Sequence, residues 1–392
     1  MSFTVLALIS AVALLGPLLS LPRFRVPVVI GELMVGMALG RSGLGVLDST
    51  NQTLSFMGEI GFALVMFVAG SHVPVLDPAI RRGIGRGALR AAGVGVLAVP
   101  AGLAISSFFG DAHGWLYAVL LASSSAGLVL PVMGGVKVTS TPGLEFLTQL
   151  AVADTACIVA LPLAIDPANA GRAAVGALAV TLTAGAFYWF LGWAEKSGRR
   201  RAVHDVSEKR KLTIELRVVL TMLFALAGIA VATHVSVMLA GFEMGIVVAA
   251  VGEPKRIANQ MLALSEGFFA PIFFVWLGSS LDLRGLAGHP QAIGLGVTLG
   301  VSALAVHGVM ALTRQPVPLA FATAAQLGVP IGAAALGTQL GVFRDGEPTA
   351  LLLGAMVTVL AVAVLAPRLQ AAVTEADGAA TATASPEASS RP

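Results

Sequence analysis

The chain has 392 residues, of which 56% are hydrophobic and 11% charged, with mean hydropathy +0.88 and a formal net charge of +3. A soluble globular protein carries about 25% charged residues, so this composition excludes one and reads as a polytopic membrane protein. The single cysteine, Cys157, allows no intrachain disulfide, and no Cys/His set has metal-ligand spacing.

A spanning helix needs about 20 residues. Thirteen apolar runs of that order follow one another at roughly 3–21, 27–44, 54–73, 87–109, 115–136, 144–165, 172–193, 213–233, 235–252, 260–281, 291–313, 316–340 and 348–372. The chain opens MSFTVLALISAVALLGPLLSLPRFR, with its first basic residues, Arg23 and Arg25, after the apolar run. A cleaved signal peptide has the opposite order, so this is a first spanning helix with its N-terminus outside. The run at 260–281 begins amphipathic and reads as interfacial at its start. Residues 1–373 form one transmembrane domain. Residues 374–392, TEADGAATATASPEASSRP, have almost nothing to bury and are expected as a disordered cytoplasmic tail.

Loop charge tests this map. Arg23 and Arg25, RRGIGRGALR at 81–90, Lys137, EKSGRRRAVHDVSEKRK at 195–211, EPKR at 253–256 and Arg314 fall after odd-numbered spans. Only Arg41, Arg172, Arg284 and Arg344 of the 24 Lys and Arg residues fall on the opposite loops. The bias puts the C-terminus inside. It also accounts for the 195–211 run as a topological signal rather than a nucleic-acid or partner site.

The odd count suggests two halves and one extra helix. Ser123, Ser124 and Ser125 in the fifth span are followed by Gly127 and Pro131; Gln326 in the twelfth is followed by Gly328, Pro330 and Gly332. Matched interruptions of this kind point to an inverted-repeat transporter, with half-helix ends and unwound backbone flanking a midplane site. The bland alternative is that Ser and Gly only pack, as they commonly do in membrane helices.

The sixth span carries the main candidate. Asp154 lies near the middle of QLAVADTACIVA, 149–160. A carboxylate at bilayer depth costs a few kcal/mol or more unless solvated, paired or protonated. Thr155 follows it and Thr148 and Gln149 precede it, offering oxygen ligands to a bare Na⁺ or K⁺. Glu243, mid-span in the ninth run, meets the same cost argument, either as a second proton-titrating group or as the partner of a Ser or Thr on an adjacent helix. Glu32 reads as packing or function equally well. Glu59, Glu215, Arg217, Asp282 and Arg284 sit near span ends and read as interfacial.

The motifs IGELMVGMALGRSGLG (30–45), GFALVMFVAG (61–70), ASSSAGLVLPVM (122–133), AVADT (151–155), LAGFEMGIV (239–247), GFFAPIFFVWLGSSLDL (267–283) and AAQLGVP (324–330) run through nearly the whole chain. Together they resemble the cation:proton antiporter superfamily, in particular the bacterial sodium/hydrogen exchanger-like branch that includes Kef-type potassium/proton exchangers. The resemblance implies an all-α fold of thirteen or so helices, a scaffold domain and a core domain with two crossing broken helices at the fifth and twelfth spans. It implies a homodimer through the scaffold in the bacterial plasma membrane, and no cofactor. Asp154 matches the family's ion-binding aspartate.

Several positions depart from the family pattern. Ala153 stands where Asp, Asn or Gln commonly precedes the aspartate, which implies one proton against one cation. His307 stands where many relatives carry a lysine that pairs with the aspartate. His72 and Val329 each replace an expected Glu. The resulting expectation is an electroneutral antiporter, Na⁺ ahead of K⁺, in which proton and cation compete at Asp154. Thr155, Ser124 and Ser125 complete the shell, and His307, Glu243 and Gln326 modulate it. The rivals are a Na⁺-coupled organic-solute symporter, a channel and a membrane-bound enzyme. The core spans are poor in cationic groups for the first, no filter loop or charged ring serves the second, and no nucleophile–base set serves the third. No phosphate-binding GxxxxGK[ST] loop is present.

Overall fold

The structure, a computed structural model, describes residues 2–19, 28–71, 80–125, 128–129, 140–197, 212–233, 235–252, 255–281 and 283–383. Regular structure among them is helical throughout. In chain order the helices are α1 (Phe3–Ala13), α2 (Leu15–Leu19), α3 (Val28–Leu39), α4 (Gln52–Ser71), α5 (Ile80–Phe109), α6 (Gly114–Ala122), α7 (Thr141–Ile165) and α8 (Ala170–Lys196). There follow α9 (Ile214–Ala232), α10 (Val237–Val251), α11 (Lys255–Leu264), α12 (Ala270–Ser280), α13 (Leu283–Gly288), α14 (Pro290–Gly308), α15 (Val317–Ala322), α16 (Gly328–Leu340) and α17 (Glu347–Thr383).

Eight described stretches are long and apolar enough to cross a membrane, and shorter apolar helix covers Phe3–Leu18 and Val237–Val251. Among the described residues, the second, fifth and twelfth expected spans carry the shorter helices α3, α6, α15 and α16. The tenth begins with the amphipathic α11 and passes through one π-helical turn, Ser265–Phe269, into the apolar α12, in keeping with its expected character. The last helix departs from expectation. It runs on to Thr383, so residues 374–383 are helix rather than tail. The segment is Ala-rich, and extending an existing helix through good helix formers carries no nucleation cost. Residues 384–392 lie outside the described residues.

The stretch expected as one domain is built as two compact units, Met1–Leu76 with Asp166–Gly285, and Asp77–Ile165 with Leu286–Pro392. In the first, α4 packs along α10 and α12, α3 packs along α12, and α8, α9 and α10 group together. The α4–α10 crossing is backbone on backbone. A Cβ at Gly70, Gly241 or Gly245 would strike the carbonyl of Phe242, Ala63 or Phe67 respectively. Small residues allow such close approach in lipid, where there is no hydrophobic drive between helices. Ile9, Leu39, Leu47, Leu54, Ile272 and Val275 form a buried apolar cluster in the same unit.

In the second unit α5 packs along α6 and α7, α14 packs along α17, and α16 packs against α17, α7 and α6. This unit holds both expected interruptions. Helix α6 stops at Ala122, and Ser123 turns extended at φ −72, ψ 156. Helix α15 stops at Ala322, and residues 323–327 are not helical before α16 begins at Gly328. Pro330 falls in the first turn of α16, where its missing N–H costs nothing. Non-helical backbone at membrane depth must find partners inside the protein. At the second break the Gln326 N–H donates to Thr358 Oγ1 of α17, at 3.3 Å. Gly127 and Pro131, expected to shape the first break, lie outside the described residues.

Candidate functional site

Asp154 sits in the middle third of α7 and is 8% exposed. Helix α7 packs against both α6 and α16, the two helices that border the breaks. Both breaks carry buried polar atoms that lack a hydrogen-bond partner among the described residues. At the first it is Ser124 Oγ, on a residue 1% exposed; at the second it is Gln326 Nε2, on a residue 4% exposed. Buried polar groups are nearly always paired; among the described residues Glu243 Oε2, Ser265 Oγ and Gln315 Oε1 are exceptions of the same kind away from Asp154. Ser125 is buried and Thr155 half-buried. Ser123 is spent locally, its hydroxyl donating to Leu120 O at 2.8 Å.

Thr148 and Gln149 have partners within the protein, and Gln149 Nε2 also reaches Thr323 Oγ1 at the second break, at 3.5 Å. The Thr148 hydroxyl donates to Leu144 O at 2.8 Å, and Gln149 Oε1 accepts from Gln315 Nε2 at 2.8 Å. Both also stand more than about 100° round the helix from Asp154, at 3.6 residues per turn. The two oxygens that the sequence offered at these positions thus each hold a hydrogen bond within the protein.

His307 is fully buried in α14 and reaches both breaks. Its Nε2 is 3.1 Å from Leu121 O, in the last turn of α6, and its Nδ1 is 2.7 Å from Thr323 Oγ1, just past α15. A carbonyl has no hydrogen to give, so Nε2 carries the proton. Nδ1 then accepts from the Thr323 hydroxyl. In a doubly protonated ring it donates to that oxygen instead, and the hydroxyl turns to Ala320 O, 2.7 Å away. The lysine position of the family resemblance thus holds a cross-brace between the two half-helix ends, with both ring nitrogens engaged there.

Glu243 belongs to the first unit, on α10, where Thr181 of α8 donates to its Oε1 at 2.6 Å. The Thr partnership weighed for it in the sequence is present, although Oε2 is buried without a partner among the described residues. Glu32 is 4% exposed in α3 of the same unit. His72 lies outside the described residues.

The sequence reading missed three polar groupings in the second unit. Arg90 of α5 makes a 2.8 Å ion pair with Glu145 of α7, both side chains under a tenth exposed, and also donates to Thr313 Oγ1 and Thr313 O. Both residues fall inside the expected spans 87–109 and 144–165, and that intramembrane position was the available signal. Gln315, buried between α14 and α15, donates to Gln149, and its Oε1 has no partner among the described residues. A cluster of Asp111, His113, Tyr117 and Glu347 joins segments distant in sequence, and no local pattern marks it.

Comparison with known proteins places this geometry. The Bacillus subtilis protein YjbQ is 25% identical over 380 residues, covering 90% of this chain and 60% of that protein. The Na(+)/H(+) antiporter NhaS5 of Synechocystis is 27% identical over 323 residues, covering 80% of this chain and 44% of that protein. The chain thus spans about half the length of these relatives. The solved sodium proton antiporter MjNhaP1 of Methanocaldococcus jannaschii superposes with a TM-score of 0.65 over 95% of this chain and 98% of that one, at 14% identity. That likeness bears on the fold alone, and the Kef-type branch gains nothing from any of the three. The sodium/hydrogen exchanger transmembrane family matches residues 10–371. The chain belongs to the sodium/hydrogen exchanger family.

Proposed function

We propose that the protein is a secondary active antiporter, a transporter and not an enzyme, exchanging a monovalent cation for a proton at Asp154. The observation that carries this reading is a buried carboxylate on a helix packed against two broken spans, each presenting an orphaned buried polar atom. Proton and cation compete for the one carboxylate, so exchange needs no further coupling device. Thr155, Ser124 and Ser125 supply neutral oxygens to the cation, hard ligands of the type alkali ions take. His307 holds the two half-helix ends in register, Gln326 lines the second break, and Glu243 stays outside the ion shell. Na⁺ is put ahead of K⁺ because relatives such as NhaS5 bear the name Na(+)/H(+) antiporter. The reading is completed by a homodimer formed through the first unit in a bacterial plasma membrane, with the N-terminus outside and the C-terminus cytoplasmic. Native mass spectrometry from mild detergent checks the dimer.

The test is dissipation of an imposed pH gradient in proteoliposomes, with Na⁺, K⁺ and Li⁺ compared. Gradient collapse on adding Na⁺ is expected; indifference to all three cations overturns the reading. Exchange is further expected to be electroneutral, because Ala153 stands beside Asp154 and leaves one carboxylate to neutralise. With the membrane potential clamped by valinomycin and K⁺, the Na⁺-driven rate should be the same at inside-negative and zero potential. A rate that climbs steeply with potential rules out one-for-one stoichiometry.

The brace at His307 has its own signature. His307→Gln keeps one donor and one acceptor and is expected to exchange more slowly but measurably. His307→Phe fills the space without either bond and is expected to lose about tenfold or more in rate, the equivalent of about 1.4 kcal/mol. A wild-type rate in His307→Phe reduces the ring to packing.

A further inference from the structure

Where α5 hands over to α6, four titratable side chains meet. Tyr117 Oη lies 2.8 Å from Asp111 Oδ2 and 2.7 Å from Glu347 Oε1. His113 Nδ1 lies 2.6 Å from the same Glu347 oxygen. Glu347 Oε2 accepts from the Arg344 backbone N–H at 3.1 Å, and Asp111 Oδ1 accepts from the His113 backbone N–H at 3.0 Å. Tyr117 is fully buried and Glu347 is 4% exposed. The other charged or titratable groups around the cluster are Arg344, whose guanidinium donates to Gly110 O at 2.7 Å, the exposed Asp345, and His289, which precedes α14 beside Gly346.

The contacts can be counted in hydrogens. Each of the three side-chain contacts needs one. The phenol supplies one and His113 Nδ1–H a second; ionised carboxylates supply none. The third is a proton on a carboxyl oxygen. Two arrangements satisfy every contact: Asp111 Oδ2–H donates to Tyr117 Oη and Tyr117 O–H to Glu347 Oε1, or Glu347 Oε1–H donates to Tyr117 Oη and Tyr117 O–H to Asp111 Oδ2, with His113 Nδ1–H donating to Glu347 Oε1 in both. We propose that Asp111, His113, Tyr117 and Glu347 form a proton-operated latch, which binds a proton apart from any carried on Asp154 and holds the α5–α6 turn against the start of α17.

The latch closes on the acid side. The hydrogen bond to Glu347 is the largest influence on His113 and raises its pKa above the ordinary value, against a smaller opposing effect of burial. A raised folded value means that this pair's stabilisation is fully present below about pH 6.5 and is lost as pH rises through the folded value. The latch also has reach. About 10 Å of α6 separates Tyr117 from Ser124 at the first break, and about 16 Å of α17 separates Glu347 from Thr358, which holds the Gln326 N–H at the second. Both helices bordering the latch therefore lead to a break.

Two measurements test it. Infrared spectra of the purified protein across pH should show a protonated carboxylic acid band at acid pH that fades as pH rises and that Asp111→Asn lacks. If Asp111→Asn fails to fold, Tyr117→Phe serves, because removing the phenol removes the contact that holds the proton. Spectra indistinguishable from wild type at every pH overturn the latch. The second measurement, pH-dependent exchange in proteoliposomes, rests on the antiport reading. Tyr117→Phe cannot close and should extend exchange toward acid by about one pH unit, a tenfold change in proton activity. Asp111→Asn donates an amide hydrogen to Tyr117 at any pH and should depress exchange at alkaline pH. Unchanged profiles, or shifts of both variants in one direction, also overturn it. An infrared difference in a protein that exchanges nothing supports the latch and ends the antiport reading instead.

Discussion

Asp154→Asn is expected to bring exchange down to the level of empty liposomes while the protein still inserts and folds. An amide is nearly isosteric with the carboxylate, so the packing of α7 against α6 and α16 survives the change. What disappears is the titratable site and the negative charge, and the proposed cycle needs both, one for the outward half-reaction and one for the return. Asp154→Glu keeps both but moves the charge by one methylene, and partial exchange with altered cation preference is expected. The checks are a fluorescence assay of Na⁺-driven gradient collapse, with gel filtration and thermal melting to establish that each variant is folded. Exchange at the wild-type rate in the Asn variant would place the ion elsewhere and end the single-carboxylate scheme.

That Asp154 could be found in the sequence, while most of its neighbourhood could not, has a physical basis. A charged residue at mid-span in an apolar run is conspicuous because lipid penalises it, and the serine run and the Gln-Gly-Pro run are conspicuous because they break helix periodicity. Such signals are local. The span map follows from hydropathy for the same reason: each helix must satisfy its own backbone hydrogen bonds before it meets any neighbour. Thr148 and Gln149 are suggested by nearness to Asp154 in sequence, but their partners are set by the fold. Leu144 O engages Thr148, and Gln315 and Thr323 engage Gln149. His307 was visible as a buried polar residue, but its partners, Leu121 O and Thr323, are 186 and 16 residues distant, and no spacing rule connects them. The end of α17 was misplaced because composition alone does not separate Ala-rich helix from Ala-rich coil; the preceding helix decides it. Glu145 and Arg90 were missed although both lie within apolar runs. Each is close to a span end, where a charged residue is ordinarily assigned to the interface.

Those two residues carry the second large expectation. Arg90→Met should destabilise the protein by about 3–5 kcal/mol, the cost of leaving a buried charge without its partner. Glu145 would retain only Arg86, whose Nη1 is 3.5 Å away on a side chain 77% exposed, and exposed pairs of that kind contribute about 0–1 kcal/mol. Thr313 would lose two donors as well, at Oγ1 and at its carbonyl. The converse change, Glu145→Gln, should cost less, about 1.5–3 kcal/mol, because Arg90 keeps both bonds to Thr313 and an amide oxygen can still accept from Nη1. Replacing both by apolar residues, Arg90→Met with Glu145→Leu, removes the buried charge altogether and should recover most of the stability lost in Arg90→Met alone. Denaturant unfolding in mixed micelles, followed by circular dichroism on wild type, Arg90→Met, Glu145→Leu and the variant carrying both, isolates the pair's coupling energy. A coupling near zero, with Arg90→Met no less stable than wild type, would mean that the charges are solvated through the end of the unit, and that α5, α7 and Thr313 are held together by packing alone.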